Sequence, residues 1–515
     1  MRSVSLSHRT AARPAEVALE REQMLLAPLV RDREQRGEDM DPSAGEALTD
    51  PAALARRINS AGGAKGIAAS VAWLTENAGE IGPAASVEDW AVETGGEGPL
   101  FYHLIQVRVE LARQLWQRRL FVGITVLDEL LFSAIRRRSP DPILDVLAWL
   151  ADSPLTRPAY VIYPLHSLGL LGTGLLVRPN ELTSEQLARE YGVAVCAQHN
   201  RMAGVAAWLE EVHAWFGVDG RVPAGLLQHW RDSRSSSWLE HNPLLAVRVH
   251  SLSGSYYENQ RLLLDRLHVA TAFLAGLAVR QPGAPDEKSR LFSSRNVNNW
   301  QTLDVHHYLV MQASLDSDGA LTGDAVPMSV DAGYLTELSD LPVDLNLAYW
   351  NEQADDARGL WQALDAVDNA QQAVRFRRTQ GHARARLARK LFESLDYFRR
   401  SLASDRWYAV TSLATAFEML LTSNYARGVA ERLRRRVELL TADATAAQAV
   451  RDMYEARSDI VHAGKPPPGS LSIGAAQRAY LQCIETVASQ LGSVTAREAD
   501  PLRRITGDTT PDVED

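Results

Sequence analysis

At 515 residues the chain exceeds what one ordinary hydrophobic core organises, so two or three domains are expected. A hydrophobic content of 46% is that of a globular protein and excludes a wholly disordered or fibrous chain. Two distant cysteines, Cys196 and Cys483, argue against a disulfide framework or a cysteine-built zinc site, and the net charge of −10 conceals an uneven distribution.

Residues 1–95 mix Arg, Glu, Ala and Pro and are expected to form a flexible extension, with one helix over 15–29. Met1–Pro14 holds Arg2 and Arg9 but lacks the apolar run of a secretory leader, and a cytoplasmic location is expected. Residues 96–345 read as a mostly helical regulatory or sensing region with a few short strands. In 96–155, Leu104, Val107, Leu111 and Leu115 recur at helical steps. Residues 159–177 carry no charge and approach the length of a membrane span. Pro164, His166 and three glycines interrupt them, so a buried strand, a turn and a second strand are expected, with no membrane partner. Gly169, Gly172 and Gly174 lack the following Lys-Ser/Thr of a phosphate loop and read as a turn. Residues 184–213 and 244–279 read as helices, the second amphipathic, and 286–345 as mixed, with short apolar runs that suit strands. The tandem His306-His307 and the Cys196/His199 pair have neither ligand nor nucleophile context.

Residues 346–371 read as a linker helix and 372–492 as a compact antiparallel bundle. Its helices are expected over 383–403, 405–423, 426–440, 445–461 and 473–491. On the second, Trp407, Val410, Leu413, Ala414, Phe417, Leu420 and Leu421 form one apolar stripe. The fourth stops at Gly464 and Pro466–Pro468. Residues 493–515 are polar and expected to be disordered. The fold class is therefore mainly α: a larger, mostly helical N-terminal region followed by a C-terminal helical bundle.

Between Gln371 and Arg436 there are fifteen Lys and Arg against five Asp and Glu, a balance of +10 that leaves −20 for the rest of the chain. Such a basic segment suits a polyanion, or else a helix face whose arginines meet carboxylates elsewhere in the protein.

The fourth bundle helix runs Val450, Met453, Tyr454, Arg457, Ile460, Val461 at steps of three and four, which puts Arg457 on the apolar stripe. A charge there requires a carboxylate, such as Glu418 or Asp459, or a cleft or subunit seam. His462 falls at the helix end. The Arg-x4-His spacing is weak alone: Arg377 and His382 repeat it, and Arg234/His241 and Arg261/His268 come close.

The surrounding residues, Tyr454-Glu-Ala-Arg457-Ser458-Asp459-Ile-Val-His462-Ala-Gly464, together with the Ala416-Phe-Glu418-Met-Leu-Leu helix end, resemble the HEPN domains, in particular their Apea-like branch. The resemblance covers residues 372–492 and implies a four- to five-helix bundle. It implies a metal-independent endoribonuclease with Arg457 and His462 catalytic, and a homodimer in which two motifs face one groove. Tyr454, Ser458, Asp459 and Glu418 would support the pair, and Lys465, Arg432 and Arg435 would bind RNA. A neutral histidine can take the 2′-hydroxyl proton or supply one to the leaving 5′-oxygen, and an arginine can neutralise the phosphorane. No cofactor or metal is called for. By analogy with HEPN toxins, the expected role is antiviral, with a phage-derived trigger or regulatory partner at the N-terminal region. The alternative is a non-catalytic RNA- or protein-binding module.

Overall fold

In the computed structural model the described residues are 48–509, apart from 63–65, 82–98, 172–182, 198–201, 219–227, 229–237, 283–306, 314–320, 328–331, 378–381, 423–427 and 496. The helix expected over 15–29 and the histidine at 306 lie outside them. The fold is mainly helical and divides into two units.

The first unit comprises the described residues up to Arg118, then Val122–Asp152, with 376–378. Its helices are α1 (Pro51–Asn59), α2 (Ile67–Glu76), α3 (Pro99–Gln117), α4 (Ile124–Arg136) and α5 (Pro142–Asp152). Asp50 caps α1 by accepting Ala53 N–H at 2.8 Å, with Pro51 pre-set for the first turn. α1 buries Leu54 and Ile58 against α5 and α3, and α2 buries Leu74 on α3. The expected extension over 1–95 is thus corrected: 51–59 and 67–76 belong to a packed helical unit. Short helices separated by turn residues conceal their apolar faces in so polar a stretch.

The second unit starts with β1 (Ala159–Pro164), β2 (Gly169–Leu171), α6 (Glu185–Tyr191), β3 (Val193–Cys196), α7 (Met202–Phe216), α8 (Trp238–His241) and β4 (Leu244–Val249). The long α9 (Tyr256–Arg280) follows, then β5 (His307–Ala313), β6 (Leu321–Pro327), α10 (Ala332–Ser339), β7 (Asp344–Asn346), α11 (Leu347–Glu352) and α12 (Arg358–Arg377). Five strands form an antiparallel sheet in the order β3-β4-β1-β5-β6, with Tyr160 paired to Arg248 on one side and Met311 on the other. β2 and β7 form a parallel pair. The strand, turn and strand expected over 159–177 appear as β1 and β2. Val193–Cys196 and Leu244–Val249, both read as helix, are strands. Each is a short run, apolar but for the half-buried Arg248 and otherwise buried on both faces, which has no periodicity to tell strand from helix.

Nor is α9 amphipathic. Glu258–Arg280 is long and apolar enough to cross a membrane, yet its apolar stretch from Leu262 to Val279 is entirely buried, packing against β4, β7, α10 and the bundle helices that follow. Its buried Arg266 is matched. Arg266 Nη1 meets Asp365 at 2.9 Å and Asp368 at 2.7 Å, and Arg119 also reaches Asp365, at 2.6 Å. Since both carboxylates stand on α12, and Leu360, Leu364 and Val367 are buried there too, this segment is core rather than linker.

The bundle consists of α13 (Ala383–Arg400), α14 (Arg406–Leu421), α15 (Val429–Thr441), α16 (Ala444–Ala463) and α17 (Ile473–Ser489). It belongs to the same unit as the sheet, because α9 packs on α13 and α17. The described residues after Ser493 are also packed: α18 (Pro501–Thr506) buries Leu502, and Asp508 is buried beside α15. The expectation of a disordered tail fails here because one leucine and one aspartate inside a polar stretch make the contacts that order it.

Candidate active site

The site is assembled from α14 and α16. Asp405 caps α14 by accepting Trp407 N–H at 2.9 Å, and Asp443 caps α16 by accepting Thr445 N–H at 2.8 Å and Ala446 N–H at 3.0 Å. α16 ends where Gly464 takes φ of 60°, a left-handed turn suited to glycine. Gly464 N–H then donates to the Ile460 carbonyl at 3.1 Å and Lys465 N–H to that of Asp459 at 3.3 Å. This closure fixes where the His462 backbone stands.

Two ties set the helices antiparallel. The Tyr454 hydroxyl donates to Glu418, and Arg406 Nη2 donates to the carbonyls of Pro468 at 3.0 Å and Leu471 at 3.3 Å. Burial and the adjacent Glu418 carboxylate both push the Tyr454 phenol well above its usual range, so it stays protonated and a donor. The guanidinium of Arg457 lies over the Tyr454 ring, 5.6 Å from its centroid. Glu418, Tyr454 and Arg457 thus form one connected group.

Arg457 itself is placed differently from expectation. The buried stripe of α16 is Val450, Met453 and Ala456, while Arg457 and Ile460 are half-buried and Val461 is 53% exposed. The apolar pattern misleads because Val461 faces outward. Among the described residues Arg457 has no carboxylate at ion-pair distance. Glu418 is taken by Tyr454, and Asp459, exposed, faces Lys465 Nζ at 3.8 Å. Ser458 is half-buried and His462 exposed. Five residues of α-helix turn by about 140°, so Arg457 and His462 leave α16 in different directions.

The basic segment is mostly occupied. Arg399 pairs with Asp396 at 2.7 Å, Arg400 with Glu337 and Asp396, Arg389 with Glu393, and Arg434 with Glu431 and Glu438. Arg435 and Arg436 both reach Asp508. Arg432 is 5% exposed. Arg432 and Arg435 are therefore corrected from RNA ligands to residues that hold the fold; Lys465 is exposed and free to meet solvent on one side of Asp459. The charge excess was legible, but not that its carboxylates would come from the same unit.

The other candidates lie apart from this group. Cys196 and Cys483 are buried free thiols whose burial pushes them far above the usual thiol range. His268 is buried in α9, where Nε2 donates to the Phe392 carbonyl at 3.0 Å. Trp208 and Trp238 are core residues and Trp149 is exposed. Among the described residues no three His, Cys, Asp or Glu side chains gather as a metal site. Sequence reasoning missed Trp407, assigned to the apolar stripe: Val410, Leu413, Phe417 and Leu420 are buried, but Trp407 is 40% exposed at the start of α14. No family of proteins, curated protein or solved structure matches this chain significantly.

Proposed function

We propose that the chain is a metal-independent endoribonuclease of HEPN type, with Arg457 and His462 as the catalytic pair and a defence or toxin role. The observation that carries the reading is an arginine without a carboxylate partner, held on the Tyr454 ring, within a bundle whose other arginines are largely ion-paired. An arginine kept in that state is available to a phosphate. His462, exposed in the last turn of the same helix, supplies the general acid or base. The 2′-oxygen attacks phosphorus as His462 removes its proton, the P–O5′ bond breaks, and the 5′-oxygen takes a proton from the second histidine. The products are a 2′,3′-cyclic phosphate and a 5′-hydroxyl.

Because Arg457 and His462 diverge on α16, the reading requires two copies, so that His462 of one faces Arg457 of the other. A homodimer through the exposed faces of α14 and α16 is part of the proposal. Purified protein is expected to cleave single-stranded RNA in EDTA and to lose that activity in His462→Ala, by about 10²–10⁴-fold for a general acid or base. Wild type and variant cleaving equally, or neither cleaving, overturns the reading. Salt-sensitive RNA binding without cleavage would favour the non-catalytic module instead.

A further inference from the structure

We propose that Trp407 is a base-stacking residue for single-stranded RNA at the open end of the α14–α16 groove. The proposal rests on the ribonuclease reading for its substrate class. The register of the two helices places the indole. Moving twelve positions back along α14, from Glu418 to Arg406, matches moving fourteen forward from Tyr454 to Pro468. Arg406, the residue before Trp407, reaches the Pro468 and Leu471 carbonyls, so Trp407 starts α14 near the segment that follows the helix end carrying His462. Eleven residues of α-helix are three turns to within about 20°, so Trp407 projects along the same line of α14 as Glu418. That line borders the groove in which Tyr454 and Arg457 lie.

Three features favour a nucleic acid as occupant. The indole is 40% exposed, which leaves much of the largest apolar side chain open to water. Its mounting is rigid: Asp405 caps the turn it stands on, and Arg406 ties that turn to the Pro468 and Leu471 carbonyls. Two cations near this end of α14 carry little counter-charge, and Arg457 lies further along the same helix pair. Arg406 and Arg457 have no carboxylate partner among the described residues, and Lys465 meets Asp459 only at 3.8 Å. An aromatic plane flanked by cations suits a chain of stackable bases joined by phosphates, and the stacking tolerates any sequence.

The test measures fluorescence anisotropy of a labelled single-stranded RNA of mixed sequence, with all variants in the full chain and the His462→Ala background so that no RNA is consumed. Trp407→Ala is expected to weaken affinity roughly tenfold or more, the scale of one stacked base, while Trp407→Phe retains most of it. Circular dichroism checks that Trp407→Ala folds. Affinity unchanged in Trp407→Ala overturns the proposal, as does absence of RNA binding by the parent. So does light scattering showing that Trp407→Ala dissociates a dimer without altering RNA affinity per chain, because the occupant is then a second copy. A parallel cleavage assay with His462 intact separates the two claims. Cleavage with Trp407-independent binding removes the stacking role alone, whereas Trp407-dependent binding without cleavage removes the ribonuclease reading alone.

Discussion

Asp508 holds Arg436 in a fully buried ion pair, Oδ2 to Nε at 3.0 Å, with both side chains essentially inaccessible. The same carboxylate accepts two bonds from Arg435, at 2.9 and 2.8 Å, while Arg436 Nη1 also donates to the Leu421 carbonyl at 2.5 Å. Removing the acid takes from the buried Arg436 guanidinium the carboxylate at 3.0 Å. Asp508→Ala is expected to destabilise the second unit by about 3–5 kcal/mol, read as a lower urea midpoint at unchanged slope. A chain ending at Ser493 should lose at least as much. Wild-type midpoints in both would show that the segment after Ser493 is dispensable.

The Tyr454 ring under Arg457 gives a graded prediction. Tyr454→Phe keeps the plane and loses the bond to Glu418, costing about 1 kcal/mol of stability. Tyr454→Ala also removes the cation–π contact, about 0.5–1 kcal/mol at a partly exposed site. On the proposed ribonuclease reading, RNA cleavage is therefore expected to survive in Phe and to drop about two- to fivefold in Ala, the scale of 0.5–1 kcal/mol of lost positioning. Equal rates for the two would show that the ring does not position Arg457.

His268 makes stability depend on pH. Burial, and then the Arg399 guanidinium, lower its pKa to about 4, against weaker pulls upward from Asp396 and from the Phe392 carbonyl. The folded chain thus keeps the ring neutral where the unfolded chain protonates it. Its contribution is complete above the unfolded pKa near 6.5 and is lost as pH falls from there to about 4, amounting to about 3 kcal/mol. His250 acts in the same direction: burial and Arg266, Arg119 and Arg248 hold it at about 3. Denaturant titrations between pH 7 and 4 should show this loss, and His268→Gln should show a shallower one. Identical slopes would exclude His268 as a source.

Gly276 on α9 sets the approach of α12 and α17. A Cβ there would stand 2.6 Å from Leu360 Cδ2 and 3.3 Å from Leu481 Cδ2, both in fully buried side chains. Alanine improves helix propensity by up to about 1 kcal/mol, but the overpacking costs about 1–3 kcal/mol and is expected to win. Leu360→Ala should relieve it, so the double variant is expected to lose less stability than the two single losses added. Strict additivity would show that the helices shift freely.

The bundle was the most legible part of this sequence, because helices α13 to α17 carry long stripes and clear caps: Asp405, Asp443 and Gly464 mark their ends within a residue or two. β3 and β4 were not, since Val193–Cys196 is apolar at every position and Leu244–Val249 at all but Arg248, and such runs look the same in a strand or a buried helix. At the site, Glu418 was one of two carboxylates expected to meet Arg457 and instead accepts from Tyr454, and the exposure of Val461 and Trp407 was not anticipated. Whether an apolar residue on a helix flank is covered depends on a neighbouring helix that periodicity does not place. The same limit hid Asp508, whose burial follows from Arg435 and Arg436 on α15 and from nothing in its own vicinity.

The packing of α9 against both sheet and bundle, with Asp508 as a late clasp, also bears on how the protein is made. The stabilising contacts of the second unit join segments far apart in the chain, which favours slow, cooperative closure. Until Asp508 has emerged from the ribosome, the bonds it accepts from Arg435 and Arg436 cannot form, so the clasp on α15 is the last of these contacts to close.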